Sequence, residues 1–174
     1  MSGSPRSWRE RRRGVGVFGC VTWGWAVTLA LLVVVLLTVA VGWWINDPGR
    51  NPAPAAYPEA ACGAFARLQT ATDQLRVGVV AARDGDRAGA DGAAGAAERA
   101  ALAASDISSE LPEWGPGEPL NQLLASLIVA TLNGADALVE RDLDSAEEEL
   151  AAAEELVASG RRAFDERRFG FACG

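Results

Sequence analysis

Four aspartates on two similar turns are the residues of this chain best equipped to do chemistry. Arg83-Asp84-Gly85-Asp86-Arg87-Ala88 and Arg141-Asp142-Leu143-Asp144-Ser145-Ala146 share the pattern R-D-x-D-x-A at a separation of 58. Brought to one place, Asp84, Asp86, Asp142 and Asp144 would offer oxygen ligands to a hard cation such as calcium. The same residues have a plainer use. Asp86 and Asp144 stand where helix N-caps are wanted, aspartate is common in turns for backbone reasons, and neither stretch has calcium-ligand spacing. No metal site is therefore expected.

Cysteine gives the second chemical signal. Cys62 and Cys173 are the only cysteines beyond an apolar N-terminal run. In a compartment outside the cytoplasm, where disulfides persist, they are expected to pair. Catalysis finds no matching residue set. The chain has no histidine, so the commonest general base and metal ligand is missing. No Ser or Cys nucleophile motif is present, and the acidic pairs fall on helix surfaces beside arginines. An exported hydrolase is thus disfavoured, no cofactor is expected, and the chain reads as a non-enzyme.

These residues must be positioned by elements, and the first element is the most legible. From Val15 to Ile45 runs an apolar stretch bounded by Trp23 and Trp25 at one edge and Trp43 and Trp44 at the other. About 20 residues between such aromatic edges match a hydrocarbon core of about 30 Å. Arg6, Arg9, Arg11, Arg12 and Arg13 precede it against Glu10 alone. The positive-inside rule then puts the N-terminus in the cytoplasm and the rest of the chain outside. Ala40-Val41-Gly42 resembles a signal-peptide cleavage site, but the run exceeds the usual h-region of about 7–15 residues, which favours an uncleaved anchor. The pair Arg12-Arg13 lacks the apolar residues a twin-arginine signal wants after it, and Cys20 lies at the wrong end of the span for a lipoprotein cysteine.

Beyond the span, eleven arginines face 22 carboxylates, a net charge of −11 that argues against nucleic acid as a partner. All 16 basic residues are arginine, and with abundant Ala and Gly this bias reads as a GC-rich bacterial genome. The expected organisation is a basic cytoplasmic tail over residues 1–16, a transmembrane helix over 17–45, a proline-rich stalk over 46–58 and a helical bundle over 59–174.

Steps of three and four residues mark four stripes after Pro58. They run from Ala61 to Ala82, from Ala90 to Leu111, from Leu120 to Leu138, and from Leu143 through Phe164 to Phe171. Breaks at Asp84-Gly85-Asp86, at Pro112 to Pro119 and at Asp142-Leu143-Asp144 separate them. The predicted fold is all-α: one N-terminal transmembrane helix followed by an extracytoplasmic up-down four-helix bundle of two α-hairpins. In that topology the first helix starts where the fourth ends, which is where Cys62 and Cys173 must meet.

Two features suit contact with something else. Trp114, in the Pro112 to Pro119 loop, is placed either against headgroups or a partner, or beneath the bundle as a plug. Arg161, Arg162, Arg167 and Arg168 end a helix that begins acidic, which suits the helix dipole and would also attract anionic lipid. The functional expectation is binding: an accessory subunit or scaffold of a cell-envelope complex, with membrane lipid and a protein as partners. The second reading is a ligand-sensing ectodomain acting through a partner, since the short cytoplasmic tail has no room for an output domain.

Overall fold

In the computed structural model, which describes residues 18–45, 47, 49 and 51–173, every regular element is helical. The side chains of residues 18–26, 43 and 45 lie outside that description. The chain divides into two compact units, one ending at Trp44 and the other beginning at Ile45.

The first unit holds α1, Phe18–Ile45, a 28-residue helix. Its described side chains from Val27 to Val41 are all exposed and none is charged. By length and composition, one stretch of the described residues, Gly115–Glu140, is long and apolar enough to cross a membrane; 44% of its apolar 18-residue window is buried, as befits a core helix. The described apolar part of α1, Val27–Gly42, is shorter.

The second unit holds α2 (Ala56–Arg83), α3 (Arg87–Ser109), a 3-10 turn (Gly115–Gly117), α4 (Glu118–Glu140) and α5 (Leu143–Asp165). α2 packs on each of the other three, α4 also touches α3 and α5, and α3 and α5 lie across from each other. The register follows from side-chain pairs. Along α2 and α5, Arg76 meets Glu154 and Arg83 meets Glu147, so the two run in opposite directions. Along α2 and α4, Tyr57 meets Asn121 and Gly78 meets Leu138, so those two run the same way.

Burial is divided between two clusters. One gathers Tyr57, Phe65, Leu68, Trp114, Leu120, Leu124, Leu127 and Phe164; the other, built from Leu75, Val79, Ala97, Leu138 and Leu150, contains no aromatic residue. The second cluster is thin because the helices approach closely there. A Cβ on Gly78 would lie 2.6 Å from Leu138 Cδ1, and one on Gly134 2.6 Å from Leu75 Cδ2. The buried hydroxyls of Thr72 and Thr131 bond back to Leu68 O and Leu127 O, and no buried side-chain polar atom among the described residues lacks a partner.

Four details correct the sequence reading. First, α2 begins at Ala56, not after Pro58, because a proline in the first helical turn sacrifices no hydrogen bond. Tyr57, read as stalk, is therefore fully buried. Second, the α5 N-cap is Asp142, whose carboxylate accepts from Ser145 N at 3.1 Å; Asp144 lies inside the helix. The turns are equivalent at a separation of 56, not 58. Asp86 N bonds Ala81 O as Asp142 N bonds Ala137 O, and Gly85 and Arg141 take the left-handed position with φ 76° and 69°.

Third, the α3 seam uses Ala94 and Ala101, while Ala100, Ile107 and Leu111 are only partly buried. Fourth, Phe171 is not helical. α5 ends at Asp165, Arg167 turns the chain at φ 51°, and the tail folds back so that Phe169 is buried and Phe171 half-buried.

Candidate functional site

The aromatic end of the helical unit is organised around Tyr57. Its ring meets Trp114 edge to face at 4.9 Å and Phe171 at 6.1 Å. Its hydroxyl donates to Asn121 Oδ1 at 2.7 Å and lies 3.2 Å from the Gly117 carbonyl. Burial first, and the neighbouring Glu118 carboxylate second, push the Tyr57 phenol up from 10.0 to about 12. Trp114 Nε1 donates to Asn51 O at 2.9 Å, and the residue is 8% exposed. Of the two placements open to Trp114, the ring takes the packing one.

That packing fixes the loop from Pro112 to Gly117, and the loop walls a groove. Between the end of α3 and the start of α4 lies a cleft of about 640 Å³. Ser105, Ser108 and Ser109 line it from α3, Glu113 and Trp114 from the loop, and Glu118, Asn121 and Ile128 from α4. The proline and glycine composition made the loop visible in the sequence; a groove beside it had no periodic or motif signal.

Cys62 and Cys173 form a disulfide, with Cα atoms 5.4 Å apart and a sequence separation of 111. The bridge ties the C-terminal tail at Cys173 to α2 beside Phe65 and Phe164, whose rings lie 5.1 Å apart. Arg161, Arg162, Arg167 and Arg168 are all exposed near that end of α5. Arg161 and Arg162 border a cleft of about 360 Å³ that also holds the Arg76–Glu154 pair, and Arg168 is paired with Glu166.

At the opposite end the two aspartate turns sit side by side, since Gly85, Arg87, Arg141 and Leu143 line one cleft of about 360 Å³. Two of their carboxylates, those of Asp86 and Asp142, are used locally. Asp86 accepts from Gly89 N, and the Ser145 hydroxyl and amide hold Asp142 below the usual carboxylate range. Glu147 is held low by the Arg83 guanidinium. Among the described residues no three His, Cys, Asp or Glu side chains converge to hold a metal ion.

Of the span-edge residues, Trp44 is 58% exposed. Arg11, Arg12 and Arg13, and the side chains of Trp23, Trp25 and Trp43, fall outside the described residues. Comparison with protein-family models, with curated proteins and with solved structures gives no match.

Proposed function

We propose that this chain is a single-pass membrane protein of a bacterial envelope, with its N-terminus in the cytoplasm. Its outer part is an up-down four-helix bundle of two hairpins, closed by the Cys62–Cys173 bridge, that acts by binding as an accessory subunit or scaffold of an envelope complex. The observation that carries the anchor is the run from Val27 to Val41, fifteen exposed side chains without a charge on one helix. Covering such a surface with lipid recovers a hydrophobic free energy that water denies it.

The disulfide supports an extracytoplasmic site for the second unit, because thiols in the cytosol are kept reduced. The surface supports a binding role. Val77, Val80, Leu102, Val129 and Val139 remain about half exposed on the second unit, and Arg83 and Arg76 are paired with Glu147 and Glu154 on its surface. The test is native electrophoresis of the full chain extracted from its own membranes in mild detergent. A discrete assembly larger than the chain, abolished by Val129→Asp with Val139→Asp, is expected; migration as the isolated chain in every detergent would overturn the scaffold reading.

The second reading, a ligand-sensing ectodomain acting through a partner, is favoured by one observation, the preformed groove between α3 and α4.

A further inference from the structure

We propose that the groove between α3 and α4 is a binding site for a small organic cation, an aliphatic amine bearing two or more ammonium groups. Three observations meet there. The first is shape: about 640 Å³ falls within the range of small-molecule sites, and its loop wall is braced before any ligand arrives. The Trp114 indole bonds Asn51 O, and Gly117 lies directly against the Tyr57 hydroxyl, where no Cβ would fit.

The second is hydrogen-bond polarity. Ser108 Oγ donates to Ala104 O and Ser109 Oγ to Asp106 O, each at 2.8 Å, so each hydroxyl oxygen is left with accepting capacity alone. Glu113 adds a carboxylate to the rim, and Glu118 keeps one oxygen open while the other accepts from Gln122 Nε2. The groove therefore asks for donors. Leu111, Pro112, Ala125 and Ile128 supply apolar wall for the methylenes between ammonium groups.

The third is the field. No basic residue occurs from Ala100 to Glu140, while Asp106, Glu110, Glu113 and Glu118 crowd the groove's end of that stretch. No arginine lines the groove: Arg161 and Arg162 border a separate cleft with the Arg76–Glu154 pair, and Arg168 is paired with Glu166. The raised phenol of Tyr57, at the start of α2, responds in part to the same Glu118 charge.

This inference rests on the groove alone and stands or falls separately from the scaffold reading. It is tested by isothermal titration calorimetry of the full chain in detergent micelles, with spermidine as the probe. Expected is saturable one-to-one binding that weakens with salt and falls about tenfold in Glu113→Gln and in Glu118→Gln. Both carboxylates are exposed and their variants keep the fold, to be checked by circular dichroism. Glu147→Gln, at the far end of the unit, leaves binding unchanged. Absence of saturation, equal loss in Glu147→Gln, or full competition by magnesium at equal charge would each overturn the proposal.

Discussion

Tyr57 offers a test of the packed aromatic end that needs no substitution. It is the only tyrosine, and the chain has no lysine, so raising the pH from 10 to 12 titrates its phenol almost alone. Burial, and to a lesser extent Glu118, raise that phenol from 10.0 to about 12. A shift of two units corresponds to roughly 2–3 kcal/mol of stability held by the neutral phenol. The sign follows from the direction: a raised acid contributes fully below the unfolded value of 10 and loses its contribution as the pH climbs through about 12. Phenolate absorbance should therefore rise near 12 in the native protein and near 10 in denaturant, and the urea midpoint should fall across that window. Because Glu118 is the smaller cause, Glu118→Gln should bring the native transition down by less than half of the gap. A native transition at 10 would mean that the hydroxyl is solvated, and the arrangement of Tyr57, Gly117 and Asn121 would have to be abandoned.

Other expectations follow from local geometry. Gly92 is exposed within α3 with nothing within 4 Å of a built Cβ, so Gly92→Ala should stabilise by about 0.5–1 kcal/mol; Gly160→Ala, whose methyl would lie 2.5 Å from the Phe65 ring, should cost about 1–3 kcal/mol, both read by denaturant melts. Asp142→Ala should lower the melting temperature while Asp144→Ala leaves it nearly unchanged, the reverse of what the repeated sequence pattern implies. Replacing Arg141 by Gly removes a side chain from the left-handed region at φ 69° and should stabilise by about 1 kcal/mol in the same assay. Replacing both Cys62 and Cys173 by Ala should cost roughly 4–5 kcal/mol by chain entropy and speed amide exchange first in residues 166–173.

Much of the helical framework could be read from the residues, and the failures have physical causes. Apolar spacing placed four helices because their seams are long and regular: Leu120, Leu124, Leu127 and Leu138 are all buried as the period requires. The pairing of Cys62 with Cys173 followed from their being the only cysteines beyond the apolar run, and the alternation of the helices agreed with it. Tyr57 was missed because three prolines precede or follow it closely, and proline ends a helix but also starts one. The cap was displaced by two residues because Arg141 adopts a conformation usually left to glycine, which no arginine announces.

Phe171 fell on the helical stripe by spacing alone, seven residues after Phe164, while another left-handed arginine, Arg167, had already ended α5. Gly78, Gly134 and Gly160 are places where a neighbouring side chain comes within 2.6 Å of where a Cβ would stand. The groove was not legible at all. It exists because a loop fixed at Trp114 and Gly117 holds the ends of α3 and α4 around a cleft, a property of three segments together.

The most direct test of the anchored, bridged arrangement is intact-mass spectrometry of the chain extracted from native membranes with its thiols blocked. Expected are an uncleaved N-terminus, one blocked thiol at Cys20 and a bridge between Cys62 and Cys173. Three blocked thiols, or a chain that begins near Trp43, would contradict that arrangement.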